Sequence, residues 1–233
     1  MAEQETANKE NKMKELDRMM KENRLAALQA QMNPHFIFNA MNSIQQFTLQ
    51  NDVDNANKYL SRFSKLLREV LHQSQKNTVT LAEEIELLQL YLQIEALRMS
   101  NDFSFQIEVD GDIETDAIKI PVMIIQPFVE NALIHGLSAK HGPKELSVKF
   151  KMKSENILVC EVTDNGIGRE KAKEFRLQRK GLLKHESKGM QMVKERLQLF
   201  NGTTNDNSHV SIFDLKNDTG ENQGTKVVIE IPI

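Results

Sequence analysis

The 233-residue chain holds a single cysteine, Cys160, which excludes an internal disulfide and every cysteine-rich metal site and suits a reducing compartment. It lies in ILVCEVTD, where Leu158, Cys160 and Val162 alternate onto one face, so it reads as a buried strand residue and not a reactive one. No apolar run approaches the ~18 residues that span a bilayer, and the opening MAEQETANKENK lacks the apolar centre of a signal peptide. Strong charge bias is missing too: net charge is −3, with 27% charged and 39% hydrophobic residues. Such a balance gives no global pull toward nucleic acid or membrane, and no basic, aromatic-interleaved stretch suggests a nucleic-acid surface. The expectation is a cytoplasmic chain with no nucleic-acid partner and no membrane contact by this segment. No internal repeat is present.

Three regimes follow one another. Residues 5–30 contain no glycine or proline and are rich in Glu, Lys, Leu and Met, all good helix formers. Met13, Leu16 and Met20 keep a 3–4 apolar spacing, as do Leu25, Leu28 and Met32, but the two sets are out of register. Residues 1–30 therefore read as a coiled-coil-like linker helix with a skip. Residues 31–100 stay helical. Leu60, Phe63, Leu67 and Val70/Leu71 form one expected stripe, and Thr80 with Glu83 forms a capping box ahead of Leu81, Ile85, Leu88 and Leu92. Three or four amphipathic helices result, an antiparallel hairpin that buries too little alone and is expected to complete its core as a homodimer.

From about residue 101 the pattern changes. DFSFQIEVDGD, ELSVKFKMKSEN, ILVCEVTDNG, SHVSIFDLKND and GTKVVIEIPI read as strands. Helices are expected over 121–138 and 188–201, with a Lys/Arg-rich, weakly periodic segment over 167–187. The fold class is α+β: a helical hairpin, then a mostly antiparallel sheet with helices on one face.

Four stretches of this second half carry candidate chemistry. PFVENALIHG places Glu130 and Asn131 inside an apolar run, where burial without partners costs several kcal/mol; they either bridge within the core or serve a site. An Asn131 amide oxygen suits a hard cation such as Mg²⁺, Glu130 can act as a base or hold a water, and His135 shares the face of Asn131. TDNGIG offers the acceptor carboxylate of Asp164, with Gly166 and Gly168 permitting close backbone approach. SKGMQMVKERL supplies Lys188 and Gly189 at a helix start, where N–H groups can take a phosphate. GTKVVIEIP begins with Gly224 and Thr225. Each piece alone is weak.

In order and spacing these stretches resemble the N, G1, G2 and G3 boxes of the GHKL ATPase superfamily, which includes histidine kinases, gyrase B, Hsp90 and MutL. The resemblance implies a Bergerat-type α/β sandwich over 101–233. It implies ATP with Asp164 at the adenine amino group, Asn131 on Mg²⁺, Gly166 and Gly168 flanking the nucleotide, and a basic lid over 169–187. The third box departs from its usual form: Ser187 and Lys188 precede Gly189, so its first glycine is missing.

Upstream, QMNPHFIFNAMN resembles the phosphoacceptor stretch of LytS-type sensor histidine kinases, and the likeness continues through LSRFSKLLREVL and TLAEEIELLQLYLQIEALRM. It implies a dimerisation and phosphoacceptor domain over 31–100. His35 would be phosphorylated from ATP and would pass its phosphoryl group to an aspartate of a response regulator receiver domain. Pro34 either opens a helix capped by Asn33 or kinks a longer one to expose His35. Phe36 stands where many kinases carry a carboxylate, which points to Glu130 as base. Asn39, one turn after His35, either orients a water for dephosphorylation or is a polar neighbour. His72, His141, His185 and His209 receive no role. Such a chain fits the intracellular portion of a membrane-anchored sensor. Two other readings compete. One is a catalytically impaired, nucleotide-responsive dimer scaffold. The other is a DNA-acting GHKL machine, which would need a transducer domain beyond Ile233.

Overall fold

The computed structural model describes residues 34–99, 102–178 and 210–233, with Val193, Arg196, Leu197 and Phe200 between them. The expected linker helix over 1–30 and most of the expected helix over 188–201 lie outside the described residues. Packing divides the chain into two compact units, with the boundary between Ser64 and Lys65.

The first unit holds α1 (Pro34–Leu49) and the opening of α2 (Val53–Gln73). Asn51 turns the chain with φ 55°. Asp52 then caps α2: its carboxylate accepts the Asn55 backbone N–H at 3.2 Å and the Asn55 amide at 2.8 Å. The helices run antiparallel, since Phe36 meets Phe63 with ring centroids 5.9 Å apart and Phe47 meets Tyr59 at 6.0 Å. The expected stripe on α2 is corrected here. The buried line is Tyr59, Phe63, Leu66 and Val70, while Leu60 and Leu71 are 49% and 45% exposed. Tyr59, directly before Leu60, sets the true register.

In the second unit, β1 (Thr78–Thr80) leads directly into α3 (Leu81–Met99). The capping box forms as expected: Thr80 Oγ1 accepts the Glu83 N–H at 3.1 Å and Glu83 returns a carboxylate to the Thr80 N–H at 2.9 Å. Nine residues of α3 are buried, Glu84 and Glu95 among them, as fits a helix enclosed on several sides.

The remaining strands are β2 (Phe103–Val109), β3 (Lys119–Pro121), β4 (Lys144–Ser154), β5 (Ile157–Asp164), β6 (Val210–Lys216) and β7 (Asn222–Pro232). β1 and β3 form a small antiparallel pair; the main sheet has five strands in the order β2-β4-β5-β7-β6. Only its β2–β4 pairing is parallel. Period-two alternation separates its faces. Leu146, Val148, Phe150, Leu158, Cys160, Val162, Ile229 and Ile231 are buried, each large one contributing ~1.5–3 kcal/mol. The opposite face is charged, with Glu161 bridging Lys151 at 2.5 Å and Lys226 at 2.6 Å, and Lys153 pairing with Glu230 at 2.7 Å. Burial drives the Cys160 thiol well above its ordinary range, in keeping with the inert strand residue expected.

Two helix expectations need correction. The span 121–138 is not one helix. It is the end of β3, a turn, α4 (Gln126–Asn131) and a π-helical run over Ala132–Leu137. Met123 sits at φ 52° in the turn, a conformation costly for a side-chain-bearing residue and invisible to apolar periodicity. Within the basic segment, Gly168–Gln178 forms a helix, α5. Arg169 fastens its start to Asp214 on β6 through paired bonds of 2.7 and 2.6 Å. Sparse apolar residues hid this helix, and residues 179–187 lie outside the described set.

Candidate functional site

β5 carries its inward alternation, Leu158, Cys160, Val162, one step further to Asp164. The strand therefore ends by placing a carboxylate where a hydrophobe would otherwise sit. Asp164 is 4% exposed. It accepts the Gly166 N–H at 2.8 Å and a backbone N–H from Thr225, its register partner on β7. Burial nevertheless dominates, pushing the carboxyl up to about 6, while the two amides and the Lys140 charge oppose the rise.

The surrounding glycines are explained by contacts within the protein. A Cβ at Gly136 would stand 2.6 Å from Asp164 Oδ1, and one at Gly166 would stand 2.4 Å from the Gly136 carbonyl. At Gly224, with φ +131°, a Cβ would fall 1.9 Å from the Asp164 carbonyl oxygen. Gly168 takes φ +76° against Asn222. The loop after β5 is held further by the Ile167 N–H donating to the Gly136 carbonyl at 3.1 Å. Lys140 Nζ donates to the Asn165 carbonyl at 2.6 Å, and the Asn165 side chain accepts the Glu145 N–H at 2.9 Å. No side chain larger than hydrogen fits at these glycines without displacing Asp164 or its neighbours.

The second wall is α4 and its π continuation, the latter packed on β4, β5 and β7. Phe128, Val129, Ala132 and Leu133 are buried in the core, leaving Glu130 and Asn131 partly exposed on the other side. Gln126 Nε2 donates to Glu130 Oε1 at 3.0 Å, one helical turn away. The π run holds the partly exposed His135 and delivers Gly136 to Asp164; such widened turns recur at functional sites. The structure thus gathers Asp164, Gly166, Gly168, Gly224 and Thr225 with the helix bearing Glu130, Asn131 and His135.

His35 is the second residue of α1 and Asn39 follows one turn later, its carbonyl accepting Ser43 Oγ at 2.9 Å. Both belong to the first unit. Both accounts of Pro34 turn on residues 30–33, which lie outside the described residues, as do Lys188 and Gly189. Gly136, Gln126 and Lys140 were not anticipated. The glycine inside the IHG run was the one available signal, since a helical glycine costs roughly 1 kcal/mol unless it earns a close approach.

A family model for histidine kinases matches residues 23–103, and one described as histidine kinase-, DNA gyrase B-, and HSP90-like ATPase matches residues 115–233. The chain belongs to this ATPase family. Among curated proteins it is similar to LytS-type sensor proteins. The sensor protein LytS of Staphylococcus epidermidis is 34% identical over 150 residues, covering 64% of this chain and 25% of the relative. The sensor histidine kinase YesM of Bacillus subtilis is 29% identical over 223 residues, covering 96% and 35%. The chain thus spans about a quarter to a third of these curated relatives. The histidine kinase domain of a blue-light activated kinase from Erythrobacter litoralis matches with a TM-score of 0.46 at 16% identity, covering 90% of this chain and 93% of that one.

Family membership makes ATP the ligand against which the site is judged, and the residues fit it. A buried carboxylate at the rim of a glycine cradle is an acceptor for an exocyclic amino group, and the partly exposed Glu130 and Asn131 offer the hard oxygen donors that Mg²⁺ takes beside phosphates. Among the described residues no group of three His, Cys, Asp or Glu side chains could hold a metal ion. No described helix is long and apolar enough to cross a membrane.

Proposed function

We propose that this chain is the output module of a two-component sensor histidine kinase, autophosphorylating His35 from ATP and passing the phosphoryl group to an aspartate of a response regulator receiver domain. The observation that carries the reading is the buried Asp164 in its glycine cradle, flanked by the helix bearing Glu130 and Asn131, on a chain that also carries PHFIFN. In this account residues 1–30 are a coiled-coil linker, 31–100 the dimerisation and phosphoacceptor domain, and 101–233 the ATP-binding domain. The whole is cytoplasmic and joined to a membrane-associated sensor.

An unprotonated nitrogen of the His35 imidazole attacks the γ-phosphorus in line. The bond to the β,γ-bridging oxygen breaks, ADP departs and a phosphoramidate remains. Glu130, its carboxylate held by Gln126, takes the imidazole proton, because Phe36 leaves no carboxylate beside His35. Mg²⁺, held by Asn131, would supply neutralisation of phosphate charge. Asp164 receives the adenine amino group, Gly166, Gly168, Gly224 and Thr225 shape the nucleotide wall, and His135, Lys188 and Gly189 serve the phosphates. Asn39 orients the water that hydrolyses the regulator's acyl phosphate. A homodimer is supported by Phe38, Met41 and Val53, exposed at 70%, 58% and 64%, on helices whose inner faces are already filled.

The test is transfer of label from γ-³²P-ATP with Mg²⁺ to the native chain, to His35→Gln and to Asn131→Asp. Acid-labile, alkali-stable label absent from both variants is expected. Tight ATP binding with no label on the native dimer would favour a nucleotide-responsive scaffold instead.

A further inference from the structure

We propose that Glu84 of α3 is a positioning residue for the helix carrying Glu130 and Asn131, clamping the turn at its head; this rests on the kinase reading above. α4 has no cap of its own, for Ile125 at its N-cap position contributes no side-chain bond, although the first N–H groups of a helix need acceptors. Glu84 takes the donors that lead into it, from 41 residues before Ile125. Its carboxylate accepts the Ile125 N–H at 3.3 Å and the Met123 N–H at 3.2 Å, and also faces the Gln126 N–H. On the carbonyl side of the same turn, Arg196 Nη1 donates to the Val122 oxygen at 2.7 Å. Met123, at φ 52°, is held in its left-handed conformation between these two charged side chains.

Glu84 is fully buried, with 0% exposure. A buried carboxylate is a poor device for stability alone, since a well-packed hydrophobe commonly serves at least as well. What the carboxylate does and a leucine cannot do is fix three backbone donors of one turn, those of Met123, Ile125 and Gln126, and hence the rotation of the helix that starts there. The other end of that helix is pinned by Gly136 against Asp164. Glu130 and Asn131 lie between the two pins, within about a turn and a half of the clamp. Asp164 belongs to β5 and takes its own hydrogen bonds from Gly166 and Thr225, independently of Glu84. Adenine and phosphate ends of the nucleotide are thus served by elements that meet at Gly136 but take their hydrogen bonds from different groups. Loosening the clamp misplaces the base and the cation ligand while leaving the adenine acceptor in place.

The test uses the full chain carrying Glu84→Gln, with Glu83→Ala as a control that removes a cap of α3 without touching the turn. Thermal melting and circular dichroism establish folding, ATP affinity is measured with and without Mg²⁺, and His35 labelling is followed at saturating ATP. Glu84→Gln is expected to bind Mg²⁺-free ATP within about threefold of the parent and to label about 100-fold more slowly; Glu83→Ala labels at the parental rate. A folded Glu84→Gln chain that labels at the parental rate would overturn the proposal, as would a labelling loss matched by an equal loss of Mg²⁺-free ATP affinity. Should Glu84→Gln not fold, Glu84→Asp, charged but one methylene short, is read by the same measurements. Should the parent take no label, the kinase reading fails, and the clamp is judged by the Mg²⁺-dependent gain in ATP affinity. That gain is expected to vanish in the variant; an unchanged gain refutes the clamp.

Discussion

Two carboxylates lie deep in the second unit, and they are buried for opposite ends. Asp164 closes β5 at the rim of the sheet, among glycines that bring backbone up to it. Glu84 sits in the first turn of α3 with no exposure at all, its oxygens turned to the donors of a tight turn and the Arg196 charge nearby. Both are pushed upward by burial, Asp164 to about 6 and Glu84 to about 7, against the backbone N–H groups that pull them down. The difference teaches how to read a buried charge. One surrounded by forced glycines at a strand end is available to a ligand; one whose acceptors are spent on the chain's own turn is an internal brace.

The largest effect should come from attacking the cradle. Gly224→Ala would drive a methyl to within 1.9 Å of the Asp164 carbonyl oxygen, at a φ of +131° that alanine avoids. Backbone must move, at a cost of roughly 3 kcal/mol or more, so a melting curve should show a fall of several degrees together with loss of ATP binding.

Next in size is the pH dependence of folding. A carboxyl whose folded value lies above its unfolded value favours the fold when protonated. Glu84 therefore contributes stability that is complete below its ordinary 4.5 and is lost as pH rises through about 7. The change is roughly 3 kcal/mol. Denaturant midpoints of the parent should fall between pH 4.5 and 7.5, and Glu84→Gln should flatten much of that slope. Asp164 contributes in the same direction over a lower window, ending near 6.

The smallest effect is expected on the charged face of the sheet. Glu161→Gln breaks bridges to Lys151 and Lys226, yet both lysines keep access to water, so denaturation should shift by no more than about 1 kcal/mol. ATP binding should not change.

Most of the sheet was legible because its signal is local. Leu146, Val148 and Phe150 alternate with polar residues, Leu158, Cys160 and Val162 recur at every second position, and all five long strands lie where such runs stand. Thr80 and Glu83 were legible for the same reason, since a capping box spans only four residues. Asp164 and the glycines could be named from motif order. Their mutual packing could not, because Gly136, Gly166 and Gly224 come from three segments that meet only in the fold. The break within 121–138 was hidden likewise: its cause, Glu84, stands far upstream, and the left-handed Met123 leaves no trace in residue type. Helix α5 was missed because Arg169 draws its support from Asp214 on a distant strand, not from an apolar stripe.

The distinction between the two carboxylates is tested most directly by comparing the affinities of the native chain for ATP and for inosine triphosphate, which lacks the exocyclic amino group. If Asp164 is the adenine acceptor, ATP should bind at least about tenfold more tightly, and Asp164→Asn should erase the preference while Glu84→Gln keeps it. Equal affinities for the two nucleotides, or a preference that survives Asp164→Asn, would contradict the account.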